Sequence, residues 1–231
     1  MAHAVRRHRL KPWMVIGIIG GSVTGIALCF LVYARLSGHL QFYTVPTQGC
    51  EPDIPRGAYI LASDWKTPER LSIVCYAHDA DGRNEIWLQR LCGLPGDTIA
   101  MREGRLLVNG EDADSTLRLK HRYAVTQAIR ARLIQEGHLR TEDWHPMNSD
   151  SIAVHVADEV AARMRLKKAA LHLSESIYHR PDWKEDEIPA TVVPAGHWFL
   201  LGDNRHASQD SRYIGFVPVS AYLGTVLHVM D

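Results

Sequence analysis

The sequence has no surplus of charge. Its 231 residues carry 26 Lys and Arg against 26 Asp and Glu, a formal net charge of +0 at pH 7. Phosphate backbones are bound by strongly basic faces, so nucleic acid is not an expected partner. Cysteine is scarce: Cys29, Cys50, Cys75 and Cys92 are the only four. None is spaced with histidine as zinc ligands are, and no metal or cofactor is expected. Cys50, Cys75 and Cys92 fall in the main domain, and an odd number allows one bridge at most. Cys75 and Cys92 sit in apolar strand-like runs and could be cross-strand neighbours, although free core thiols are the expected state. The 13 histidines are scattered, as surface or satisfied core residues are. Only one hydrophobic run has membrane length, and no second follows it.

That run is N-terminal. Arg6, Arg7, Arg9 and Lys11 precede an uncharged stretch from Pro12 to Ala34, longer than the ~20 apolar residues of a spanning helix. It stays apolar through Cys29-Phe30-Leu31-Val32-Tyr33, with no small-residue cleavage site, so a retained anchor over 12–36 is expected. The basic side faces the cytoplasm by the positive-inside rule. Residues 1–11 are then a cytoplasmic tail and the rest lies on the extracytoplasmic side of the inner membrane. Gly17, Gly21 and Gly25 recur every fourth residue, a face through which two helices could approach.

Three stretches carry chemistry. The first is Pro46-Thr47-Gln48-Gly49-Cys50-Glu51-Pro52-Asp53-Ile54-Pro55-Arg56-Gly57, where three prolines and two glycines forbid a helix and mark a shaped loop. The second is Ile86-Trp87-Leu88-Gln89-Arg90-Leu91-Cys92-Gly93-Leu94-Pro95-Gly96-Asp97. The third, Gly202 to Pro218, holds Gly-Asp-Asn-Arg, Ser208-x-Asp210-Ser211-Arg212 and Gly-Phe-Val-Pro between two expected strands, Phe199–Leu201 and 213–219. Together with Leu71-Ser72-Ile73-Val74-Cys75-Tyr76, these resemble the successive boxes of type I signal peptidases (peptidase family S26). The likeness covers about residues 42–110 and 190–226.

The resemblance implies a membrane-anchored serine protease fold that uses a serine nucleophile and a lysine base. Both dyad positions are substituted here. Gly49 stands at the serine and Gln89 at the lysine. An amide neither takes nor gives a proton usefully near neutrality, and a glycine has nothing to attack with. Of the other family positions, Thr47 matches at the oxyanion hydroxyl and Asp203, Arg205, Ser208, Asp210 and Arg212 match in the loop that supports the lysine, while Asp53, Ala58 and Arg70-Leu71 depart from the pattern. Cys50 and His206, which also depart from the pattern, form an alternative nucleophile and base. The favoured reading of Cys50 is a small apolar stand-in for the family's methionine.

The expected fold is mainly β, a signal-peptidase-like twisted sheet with one N-terminal transmembrane helix. Residues 37–110 and 190–231 form the catalytic-type domain and 111–189 a variable inserted α+β lobe. In that lobe a helix is expected over 126–136, capped by Thr126 and stopped by Gly137. A strand over 151–156 follows, then a helix over 158–170 with a basic face of Arg163, Arg165, Lys167 and Lys168. Further strand is expected at 171–173 and 176–178. Expected partners are membrane lipid, exported preproteins or extended peptide segments, an active paralogous peptidase, or a second copy through the glycine face. Phe42, Tyr43, Trp65 and Trp87 are candidates for membrane contact. Three functions remain open: a silent signal-peptidase-like scaffold for export or surface assembly, an active peptidase with a non-standard nucleophile, and a structural membrane protein without a peptide site.

Overall fold

The computed structural model describes residues 12–80, 82–148, 150–168 and 182–230, with side chains from residue 23 onward. It divides into two units, Met1–Gln41 and Phe42–Asp231. In the first, helix α1 spans Pro12–Leu36 and stops where the Ser37 hydroxyl donates to the Tyr33 carbonyl at 2.8 Å. Among the described residues no helix is long and apolar enough to cross a membrane. The basic tail, and the side-chain faces of Gly17 and Gly21, lie outside the described residues. Gly25 has open space where a side chain would stand.

The second unit is mainly β. Strands β1 (Leu40–Thr44), β2 (Tyr59–Ser63), β3 (Ile73–Ala80) and β4 (Arg83–Gly93) lead to β5 (Thr98–Arg102), β6 (Arg105–Val108) and β7 (Glu111–Asp112). Then come β8 (Lys120–Val125), α2 (Gln127–Gln135), β9 (Trp144–Pro146), β10 (Ile152–Ala157), α3 (Asp158–Met164) and β11 (Lys167–Lys168). The last elements are β12 (Ile188–Val192), β13 (His197–Leu201), α4 (Ser211–Ile214), β14 (Val217–Pro218) and β15 (Tyr222–Met230).

They build three sheets. The largest has seven strands in the order β1-β2-β15-β3-β4-β13-β14. A four-stranded sheet, β12-β5-β6-β7, packs a core of Ile99, Met101, Leu106, Trp183 and Phe199. The third, β11-β8-β10-β9, is the sheet of the inserted lobe, with Tyr123, Val125, Val154 and Val156 packed on Leu133 of α2. The alternation that the sequence shows in β10 is the period of two that sends Val154 and Val156 to this core.

Helix α2 starts as expected: the Thr126 side chain accepts from Ile129 N, and Gly137 takes φ +73 just past the end. Two expectations are corrected. The helix read over 158–170 ends at Met164, because Arg165 turns to φ +54 and the chain re-enters the sheet as β11 opposite Ala124 and Tyr123. Arg165, Lys167 and Lys168 therefore belong to no helical face with Arg163. The strand read over 213–219 begins instead as α4, because Asp210 caps it by accepting from Arg212 N; only Val217–Pro218 pair as strand. The strands expected at 171–173 and 176–178 lie outside the described residues. Cys50, Cys75 and Cys92 are all free and buried.

Candidate active site

The loop after β1 is tied at its neck, where Val45 N donates to Ala58 O and Gly57 N to Val45 O. Inside the loop, proline and glycine leave carbonyls pointing outward, and the loop Gly202–Asp210 takes them up. Asn204 N donates to Gly49 O at 3.0 Å and the Asn204 side chain to Gln48 O at 3.3 Å. Gly202 is obligatory at this crossing: a Cβ there would stand 2.2 Å from Ser208 Oγ and 2.7 Å from Gly49 O. Its bareness lets Ser208 lie between the two loops. A Cβ on Gly49, by contrast, would meet nothing closer than Ser208 Oγ at 3.5 Å, an ordinary contact.

Strand β4 supplies the third wall. Gln89, opposite Val74 of β3, is buried and fully engaged at one end. Its Oε1 accepts from the Tyr76 hydroxyl at 2.8 Å, and its Nε2 donates to Gln209 O at 2.6 Å. Gln89 thus ties two walls together through a neutral chain of hydrogen bonds. Thr47, Gly49, Gln89 and Ser208, the positions the resemblance singles out, line one cavity of about 420 Å³ with Tyr43 and Trp87 on its flanks.

Around this cavity the loop 202–212 is braced by three buried ion pairs. Arg90 grips Asp203 through two bonds of 2.6 and 2.5 Å and reaches Asp53 at 2.9 Å. Arg205 holds Asp114 at 2.8 and 2.5 Å. Arg212 holds Asp210 at 2.8 Å through each of two nitrogens, donates to Glu185 O at 3.1 Å and also bonds Arg205 O. Burial alone would lower the Arg212 pKa; the Asp210 carboxylate outweighs it and raises it. Ser211, one residue on, accepts from Leu200 N at 2.9 Å. Asp203, Arg205, Asp210 and Arg212 therefore each have a definite structural partner, whereas Ser208 makes no hydrogen bond with a described residue.

The alternative dyad does not assemble. Cys50 turns into the apolar cluster of Val45, Ile54 and Ile60 and donates to Leu88 O at 3.1 Å. Burial, and after it the Asp203 charge, push its thiol well above the ordinary value, so it has little thiolate to offer. His206 faces the inserted lobe. Its Nδ1 accepts from Arg122 N at 3.0 Å, so Nε2 carries the proton and donates to Asp186 at 3.1 Å. The two side chains share no partner.

His206 belongs to a buried seam between loop and lobe. Lys120 N donates to Asp203 O and Arg205 N to Lys120 O; the Lys120 ammonium meets Glu51 at 2.6 Å. His155 donates to His206 O at 3.2 Å. Burial, with Arg122, His145 and His206 adding to it, holds the His155 pKa down to about 3 from its ordinary 6.5. The unfolded chain therefore binds this proton first as pH falls. Stability from the neutral imidazole is complete above pH 6.5 and drains away towards pH 3, at up to about 1.4 kcal/mol per pH unit. Urea midpoints are expected to fall over this range. His155→Gln, which keeps an N–H donor and has no proton to gain, should flatten the slope; parallel profiles would count against this cause.

The sequence pointed to the loop's own charges but not to their partners. Asp114, Glu185 and Asp186 come from the stretch read as variable, and Lys120 from β8 within it. Nothing local marks them. Tyr76 had a signal, since a tyrosine ends an otherwise apolar strand run and its hydroxyl needs an acceptor once buried.

Comparison with known proteins gives a consistent answer. A signal peptidase I of Buchnera aphidicola is 26% identical over 175 residues, covering 71% of this chain and 54% of that protein. One of Pseudomonas aeruginosa is 25% identical, covering 80% and 58%, and one of Bacillus caldolyticus 24% identical, covering 96% and 89%. The chain thus spans little more than half of the first two relatives. A crystal structure of a signal peptidase I from Enterococcus faecalis is 24% identical, covers 71% of this chain and 98% of its own, and superposes with a TM-score of 0.35. The model of "Signal peptidase, peptidase S26" matches residues 19–230. That span takes in the cavity, both loops that wall it and the lobe behind them, and the chain accordingly belongs to the signal peptidase family, peptidase S26.

Proposed function

We propose that this family member is a membrane-anchored, catalytically silent signal-peptidase-like protein that holds an extended segment of exported proteins in its groove. The observation that carries this reading is the pairing of an intact brace with an emptied centre. Asp203, Arg205, Asp210 and Arg212 are buried and paired, while Gly49 and Gln89 stand at the positions of the nucleophile and base. Losing either member of such a unit removes nearly all of the rate, and the second loss adds little. The charged 1–11 segment and the apolar run after it support an N-terminus inside the cell with residues 37–231 outside. Phe42 and Trp65, both exposed, suit contact with lipid. Preproteins, a paralogous active peptidase, or a second copy through Gly17, Gly21 and Gly25 are the partners this reading allows.

The test is direct. Full-length protein in detergent, incubated with an exported preprotein, is expected to give no cleavage above background, and Cys50→Ala to behave as the parent. Cleavage by the parent that Cys50→Ala abolishes would overturn the reading in favour of a cysteine peptidase. A photoreactive group at position 49 should crosslink to an exported protein in cells. Failure to capture any would favour a structural role without a peptide site.

A further inference from the structure

The floor of the cavity has an unusual chemistry for a place meant to pass a continuous chain. Thr47 and Ser208 each present a hydroxyl, and neither makes a hydrogen bond with any described residue. The Gly49 N–H has no acceptor among the described residues either. Gln89 gives one of its two N–H groups to Gln209 O and keeps the other. The floor therefore offers up to four donors, all uncharged, from four residues that line one space.

Space and charge agree on what would accept them. With no side chain on Gly49, the nearest atom to its empty Cβ position is Ser208 Oγ at 3.5 Å, so an extra ligand oxygen has room beside that hydroxyl. The acids nearest the floor are not aimed at it: Asp203 is gripped by Arg90 and Asp210 by Arg212. Glu85 is the one carboxylate lining the cavity. It lies four residues back along β4 from Gln89, about 13 Å at the rise of a strand, and its Oε2 accepts from Trp87 Nε1 at 3.0 Å. A ligand group made only of acceptors, carrying a negative charge, can take all four donors; the Ala207 carbonyl, 3.8 Å from the Gly49 Cβ position, is the acceptor beside them. Charge-assisted bonds of this type are roughly twice as strong as neutral ones. A scissile carbonyl presents one oxygen; a terminal carboxylate presents two, and the second takes the room that Gly49 leaves.

We propose that the groove captures the free C-terminal carboxylate of a peptide that has already been cut. The ligand class is thus a released peptide end, and the reaction that supplies it is hydrolysis of a peptide bond. That reaction adds water across the amide to give this carboxylate and a new amine, and a separate peptidase performs it. The inference rests on the reading of the groove as a peptide site, and it places this chain after cleavage, where it would hold a product.

Binding of one N-terminally labelled Ala/Leu hexapeptide in three forms tests it, by fluorescence anisotropy with the full-length protein in detergent. The forms end in a carboxylate, end in a primary amide, or continue six residues further. The carboxylate form is expected to bind at least tenfold tighter than either other form. Ser208→Ala and Thr47→Val should each narrow that preference threefold or more with the urea midpoint unchanged, which a merely misfolded variant would not do; a preference that stays at its full value in both variants overturns the inference. Equal affinity for all three forms, or preference for the extended one, overturns the inference and leaves the groove reading standing. No binding of any form by folded protein removes both.

Discussion

A variant carrying Gly49→Ser, Gln89→Lys and Tyr76→Phe is expected to cut an exported preprotein, where the parent and each single variant do not. The geometry supports the first change, since a side chain at position 49 meets only ordinary contacts and points at the Ser208 hydroxyl. The second puts an amine where the amide of Gln89 is now buried, and burial among apolar groups lowers a lysine's pKa so that it can take the serine proton. The third follows from the hydrogen bonds. The Tyr76 hydroxyl now satisfies Gln89; left in place, it would donate to the lysine's lone pair and compete with the serine. A positioned base contributes roughly a hundredfold or more, so cleavage in the triple variant should exceed the parent by at least that factor and rise with pH. Gly49→Ser/Gln89→Lys without the tyrosine change should be slower. A folded triple variant that binds peptide but leaves the preprotein whole would show that the braced loop no longer holds reacting groups in register.

Arg212→Ala is expected to bring the largest loss of stability of any single change at the site. Its side chain and that of Asp210 are fully buried. Removing the guanidinium strands the Asp210 carboxylate and unties Glu185 O and Arg205 O at once. Breaking a buried pair from one side costs about 3–5 kcal/mol, a large share of the roughly 5–15 kcal/mol that keeps a domain folded. Asp210→Asn, which keeps an acceptor for Gly202 N at 3.1 Å, should lose less. Arg56→Ala, at an exposed pair with Glu142, should lose under about 1 kcal/mol. Urea unfolding of the three variants ranks them; an Arg212→Ala loss no greater than that of Arg56→Ala would refute the brace.

Much of the β framework was legible because its signals are local. Gly93-Leu94-Pro95-Gly96, the apolar runs of β3 and β4, and the Thr126 cap each announce a turn, a strand or a helix start within a few residues. The errors fell where one residue's backbone decides. Arg165 adopts φ +54 with no glycine to advertise it, so periodicity alone carried the helix on to residue 170. Asp210 converts the next four residues to α4 by capping, though the same stretch reads as β. The site was legible as a set of positions, and its wiring was not. Asp114 meets Arg205 across 91 residues of sequence and Gln89 meets Gln209 across 120. Pairing at that range is set by sheet topology, which no local pattern encodes. The seam of His155 and His206 was hidden for the same reason among thirteen scattered histidines.

The chain of bonds from Tyr76 through Gln89 to Gln209 also fixes how the groove responds to acidity. An amine at that place must shed a proton before it can work, so a conventional member of the family falls silent as its surroundings acidify. Here the floor is an amide, a carbonyl and a phenol that burial pushes far above its usual range, with Cys75 beside it raised to about 12. None of them gains or loses a proton anywhere near neutrality. The floor therefore keeps one hydrogen-bonding pattern through pH changes around neutrality, where a lysine at that place would have a threshold.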